Sequence, residues 1–188
     1  YPAPPAEFEI PGLELRGRIL EAGPDARLTD ATGNPLRPGD AVIGLVAEGG
    51  WAEKIAVPGD LLVPLPDGAE RRDAGGIAEC AMTVFDALRR QGDLVSGQSV
   101  LIHAGSSGIG TLGQRVVQAL GGTVLTTCSG AKVDRVRDWG ADLVIDHESE
   151  SFRERVLDYT SGRGVDLVLD TLGGRALDDN LRCLRPGG

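Results

Sequence analysis

Residues 99–110 narrow the choice of fold more than any other stretch of the chain. A short apolar run, Val100-Leu101-Ile102, ends in small residues, and an amphipathic segment follows with Ile109, Leu112, Val116, Val117 and Leu120 on one face. The pattern predicts a buried strand, a tight glycine turn and a helix. Residues without bulky side chains let a diphosphate approach the backbone. The helix N-terminus then offers free N–H groups and the positive end of its dipole to that anion. The residues of that turn are Gly105, Ser106, Ser107, Gly108, Ile109 and Gly110.

The texture on either side differs. Before residue 65, short strand-like runs at 15–22, 41–47 and 51–57 are punctuated by Gly-Pro and Pro-Gly pairs. Residues 25–38 read as a solvated hairpin loop, 64–80 as a connection and 81–90 as a helix. From residue 99, strands at 100–103, 124–127, 143–146 and 167–170 alternate with helices at 109–120, 132–139, 151–160 and 176–184. Such alternation predicts an α/β fold with a doubly wound parallel sheet and right-handed crossovers. In the usual strand order, 3-2-1-4-5-6, the fourth strand pairs with the first; with only four strands read in this chain, the fourth is expected at an exposed edge, with Leu167 and Leu169 near it.

The chain has 188 residues, 41% of them hydrophobic, and a net charge of −9. The charge argues against a nucleic-acid partner, because phosphate-backbone binding rests on accumulated Lys and Arg. No apolar run is long enough to span a bilayer. Cys80, Cys128 and Cys183 show no metal-ligand clustering or disulfide framework, which fits a reducing cytoplasm.

The end of the second of these strands bears on the cofactor. A site for NAD places an acid about 20 residues past the glycine turn to hold the ribose 2′-hydroxyl. Here residues 126–132 read Thr-Thr-Cys-Ser-Gly-Ala-Lys, with no acid. Ser129 and Lys132 offer a donor and a cation, which suits the 2′-phosphate of NADPH, and Arg135 could add charge. The plainer reading makes Ser129 an N-cap and Lys132 a solvated side chain.

Several segments together resemble the medium-chain dehydrogenase/reductase superfamily. They are Ala104-Gly-Ser-Ser-Gly-Ile-Gly110, Asp170-Thr-Leu-Gly-Gly174, Pro11-Gly-Leu-Glu-Leu-Arg-Gly17, Pro38-Gly-Asp-Ala-Val42, Gly49-Gly-Trp-Ala-Glu53 and residues 161–166 and 180–188. Within the superfamily the chain is most similar to the zinc-free quinone oxidoreductases. The resemblance implies part of a GroES-like β-rich catalytic lobe at 1–80 and part of a Rossmann-type NADPH-binding domain at 81–188. It also implies an internal fragment of a longer protein, inactive alone and a homodimer in its full-length parent.

The resemblance further implies residue roles. Tyr1 matches a tyrosine lining the substrate pocket, which implies a catalytic role in orienting a carbonyl or donating a proton; an ordinary buried aromatic is its plainer reading. Thr83 matches a residue near the nicotinamide and phosphates. Leu172 and Gly173 fall where the nicotinamide ribose passes, and His147 takes the place of an aromatic near the adenosine. An exposed histidine at a strand end is the plainer reading of His147, and a structural hydrogen-bonder that of His103. Zinc-dependent relatives carry Gly-His-Glu where this chain has Gly12-Leu13-Glu14, and Glu79 stands where they place a cysteine. Leucine cannot ligate zinc, so a metal-free site is expected, with Cys80 a buried small residue. Ser107 replaces the second glycine of the usual turn, so its φ must stay in an ordinary region.

The expected activity is hydride transfer from NADPH to a quinone or an α,β-unsaturated carbonyl. The alternatives are an enoyl reductase of polyketide or fatty-acid type and a non-catalytic, crystallin-like NADPH-binding protein.

Overall fold

The computed structural model describes residues 10–30, 32–65, 68–69 and 72–188. The chain divides into two compact units, residues 1–80 and 81–188.

In the first unit, β1 (Glu14–Arg18), β2 (Ala41–Leu45) and β3 (Leu62–Pro64) form an antiparallel sheet in that order. Glu14 pairs with Leu45, and Gly44 with Leu62. Leu15, Leu36, Val42 and Leu62 make a small core. The strand expected at 51–57 does not form. The N–H groups of Gly49, Gly50 and Trp51 are taken by the carbonyls of Ile10, Gly12 and Pro11, and Ala52 closes a turn onto Gly49. Among the described residues the run 51–57 finds no strand partner, and Trp51 is left 77% exposed. Leu62-Val63-Pro64 is the third strand instead.

The loop at 25–38 is more organised than a solvated hairpin. Thr29 and Pro35 form a bridge, and the carboxylate of buried Asp30 accepts from the N–H groups of Thr32 and Asn34 and from the Thr32 hydroxyl, at 2.8, 2.9 and 2.7 Å. The connection at 64–80 holds a 3-10 turn, Arg72–Gly76, and the start of α1 (Ala78–Phe85). Residues 86–91, expected to continue that helix, wind more widely, as a π-helical turn. The Gly92 N–H bonds to Ala87 O, five residues back, and Gln91 Nε2 reaches Asp86 Oδ2 over the same interval.

The second unit is built on a parallel sheet: β4 (Ser99–Ile102), β5 (Thr123–Cys128), β6 (Leu143–Asp146) and β7 (Leu167–Leu169). The spatial order is β6-β5-β4-β7. It is served by α2 (Gly108–Ala119), α3 (Val133–Asp138), α4 (Phe152–Tyr159) and α5 (Leu177–Cys183). A parallel sheet is covered on both faces, which is why its strands read as unbroken apolar runs. Alternation along β4 divides the core. Val100 and Ile102 pack with Val84, Leu88, Val117 and Leu169, while Leu101 packs with Leu125, Ile145, Val156 and Cys183. Each fully buried aliphatic side chain here contributes roughly 1.5–3 kcal/mol.

Among the described residues, strand β7 is the outer strand on its side, where a sheet of four strands is expected to leave an edge. The chain just before it is covered: the Val165 N–H donates to Cys183 O at 2.8 Å, and the Arg185 N–H to Val165 O at 2.9 Å. Among the described residues, no helix is long and apolar enough to cross a membrane.

Candidate functional site: a phosphate-binding turn at the carboxyl edge of the parallel sheet

Because the four strands are parallel, the segments leaving their C-terminal ends share one edge of the sheet. Ile102 is level with Thr126 and with Leu169, and Cys128 with Asp146. The turn 103–110, the loop 129–132, His147 and the loop 170–174 therefore all emerge there. An open α/β sheet binds its ligands at this edge, beside the strand where the order reverses. Here that strand is β4.

The turn is tightly built. Ala104 takes φ +51, in the left-handed region. The Gly105 N–H donates to Thr127 O at 2.8 Å, and a Cβ on Gly105 would lie 2.2 Å from Thr126 Oγ1. A Cβ on Gly110 would lie 2.2 Å from Ala104 O, so both positions require glycine. Ser107 keeps φ at −78, as its identity demands, and serves as N-cap of α2, its Oγ accepting the Gly110 N–H at 3.0 Å. Among the described residues, no acceptor takes the N–H groups of Ser106, Gly108 or Ile109. Ser107 and Gly108 are exposed. Free N–H groups at the positive end of a 12-residue helix fit an anionic diphosphate.

Sequence reasoning missed the residue that holds this turn from beneath. Gln114 is fully buried, and its Nε2 donates to Gly105 O at 2.7 Å and Gly110 O at 3.0 Å. A glutamine on the apolar face of a predicted helix is the signal that could have found it.

At the end of β5, Ser129 precedes a 3-10 turn, Gly130–Lys132, without making a side-chain cap. Lys132 is exposed and forms no ion pair among the described residues. Arg135 is drawn away, its guanidinium 5.2 Å from the Trp139 ring centroid. His147 is exposed. After β7, Asp170 Oδ1 accepts the N–H groups of Leu172 and Gly173 at 2.7 and 3.1 Å. Gly173 takes φ +75, and Leu172 is 51% exposed.

His103 is wholly buried. Its Nδ1 lies 2.9 Å from Thr127 Oγ1 and its Nε2 2.7 Å from Asn180 Oδ1, and it meets Phe152 edge-on at 4.9 Å. Burial lowers its pKa, against the opposing effect of the Asn180 hydrogen bond. Thr83 lies on the exposed side of α1. Tyr1 lies outside the described residues.

In the first unit, Leu13 is exposed, and Glu14 Oε2 accepts the Glu79 N–H at 3.0 Å. Cys80 is half-buried rather than buried, because it sits near the start of α1 beside this carboxylate pair. Partial burial, Glu14 and Glu79 push its thiol pKa up, which keeps it protonated.

The family model for zinc-binding dehydrogenases matches residues 108–188. The matched span excludes Leu13 and Glu79, so the match carries no statement about metal at those positions. The structure is similar to the CurK enoyl reductase, with 26% identity and a TM-score of 0.84, covering 96% of this chain and 52% of that one. It is equally similar to a quinone oxidoreductase of Pseudomonas syringae pv. Tomato DC3000, with 27% identity and a TM-score of 0.85, covering 100% and 56%. The chain belongs to the medium-chain dehydrogenase/reductase superfamily.

Among curated relatives of this superfamily member is Pks1 of Mycobacterium tuberculosis, a polyketide synthase whose name marks it as inactive. It is 37% identical over 181 residues, covering 94% of this chain and 10% of that protein. The chain thus spans about a tenth of that relative and about half of each solved neighbour.

Proposed function

We propose that the chain carries the dinucleotide-binding part of an NADPH-dependent, zinc-independent reductase of electron-poor double bonds. Its substrate in this reading is an enoyl thioester of a polyketide-type assembly line. The observation that carries the proposal is the turn 104–110, whose free N–H groups and N-capped helix suit a diphosphate. NADPH, when bound, supplies the hydride, which adds to the β-carbon while a proton completes the α-carbon. The chain's own residues bind and orient. Ser106, Gly108 and Ile109 donate to the diphosphate; Ser129 and Lys132 face the 2′-phosphate; Leu172 and Gly173 line the path of the nicotinamide ribose. With no Lewis acid, the rate rests on positioning and hydrogen bonding.

The enoyl substrate is favoured over a quinone by the polyketide synthase relative and the CurK neighbour. The quinone reading keeps the support of the Pseudomonas syringae neighbour. The non-catalytic reading keeps the support of the relative whose name marks it as inactive. Following NADPH oxidation with a short enoyl thioester and with a quinone panel, in the protein that carries this chain, separates the three. Turnover of the thioester supports the proposal. Turnover of quinones alone, or cofactor binding without turnover, replaces it.

A further inference from the structure

The loop assigned to the 2′-phosphate is not electrostatically empty. The Gly130 N–H, which points out of that loop, donates to Glu148 Oε2 at 3.1 Å. A Cβ on Gly130 would lie 2.8 Å from Asp146 Oδ2, so the loop lies flat against a second carboxylate. Both acids come from the end of β6 rather than β5, and the register places them there by pairing Asp146 with Cys128.

The two acids are not equivalent. Asp146 is held mainly within its own turn, accepting the Ser149 hydroxyl at 2.8 Å and the Glu148 N–H at 3.0 Å, with the Gly130 N–H a weaker neighbour. Glu148 is exposed, and among the described residues its carboxylate has one hydrogen-bond partner, Gly130. The nearby cations do not offset the pair. Lys132 is one ammonium, Arg135 lies over Trp139, and Arg137 pairs with Asp134 at 2.7 Å. A phosphate dianion arriving at Ser129 and Lys132 thus meets two carboxylates, and the Gly130 N–H, a backbone donor between those two residues, is already engaged.

We infer that Glu148 is a specificity-determining residue whose carboxylate competes with the cofactor 2′-phosphate for the Gly130 N–H and narrows the preference for NADPH over NADH. The inference rests on the NADPH reading above. NADH carries a neutral 2′-hydroxyl, which has no like charge to repel at this position. Binding of NADPH requires Glu148 to release Gly130 and swing into solvent; binding of NADH does not.

The test is calorimetric titration of NADPH, NADH and adenosine 2′,5′-bisphosphate into the wild-type protein and into the Glu148→Gln and Glu148→Lys variants, at low and raised salt. Thermal melts confirm that each variant is folded. Glu148→Gln is expected to tighten NADPH and the bisphosphate by roughly three- to tenfold and to leave NADH within about twofold. Glu148→Lys is expected to tighten them further, and added salt to shrink both gains. Equal changes for NADPH and NADH, or none for either, overturn the inference. A Lys132→Ala control keeps the two readings apart. If its losses are equal for both cofactors, the NADPH reading falls and the inference with it. If its loss is specific to NADPH and Glu148→Gln changes nothing, only the inference falls.

Discussion

The side-chain amide of Gln114 holds the carbonyl of Gly105 at 2.7 Å, inside the core and directly beneath the phosphate-binding turn. A second bond from the same nitrogen to Gly110 O clamps the far end of the turn. Gln114→Leu keeps the volume roughly constant but leaves these carbonyls without that donor, at a cost of about 1–3 kcal/mol. NADPH affinity is expected to fall about tenfold, and Gln114→Glu is expected not to restore it, because even a neutral carboxyl carries a single O–H and cannot serve both carbonyls as the amide NH2 does. Paired titration and urea unfolding check this. A large stability loss with unchanged affinity would make Gln114 purely structural.

Lys132→Ala is expected to weaken NADPH about five- to tenfold and NADH by less than about twofold, with the difference shrinking as salt rises. Equal losses would show that this exposed ammonium does not face the 2′-phosphate.

The loop after β7 hangs on Asp170. Replacing it with Ala removes the acceptor for the Leu172 and Gly173 N–H groups. The expected result is a NADPH KM raised about three- to tenfold with a stability loss of about 1 kcal/mol or less. Asp170→Asn keeps a side-chain oxygen and is expected to recover most of the affinity. Failure of that rescue would argue against the loop-holding role.

His103 links stability to pH. Burial lowers its folded pKa below the ordinary 6.5, so the folded state resists protonation. Its contribution is fully present above about pH 6.5. It is lost as pH falls from there through the lower folded value, because the unfolded chain takes up the proton first. Urea midpoints measured at descending pH should drop across this window in the wild type. The drop should be smaller in His103→Gln, whose side chain does not titrate. Identical profiles would remove His103 as the cause.

Activity in the protein that carries this chain is expected to survive chelators, and elemental analysis to find no stoichiometric zinc. Leu13 offers no ligand atom, and the Cys80 thiol is held protonated by partial burial, Glu14 and Glu79. A tightly bound zinc that is lost together with activity would overturn this.

The parallel sheet and its glycine turn were legible from the chain because residue type and spacing mark both, and the tertiary structure supplies the reason. Val100-Leu101-Ile102 must be covered on both faces, and Gly105 and Gly110 stand where a Cβ would strike Thr126 or Ala104. Ser107 could be read as ordinary in φ from its identity alone. Its role as N-cap of α2 appeared only with the bond to Gly110. Residues 51–57 misled because a short strand-like run bounded by Gly and Pro states only what a segment could form, whereas a strand also needs a partner for its N–H groups. Ile10, Pro11 and Gly12 had already taken those of residues 49–51. The acids near Ser129 escaped for a similar reason. A search along β5 finds none, while the register between β5 and β6 brings Asp146 and Glu148 alongside Gly130 from residues far along the chain. Periodicity and residue type thus determined the second unit's strands, its turn and its carboxyl-edge location. Which polar groups occupy that edge was decided by strand pairing, because pairing alone sets the distances on which charge and hydrogen bonding depend.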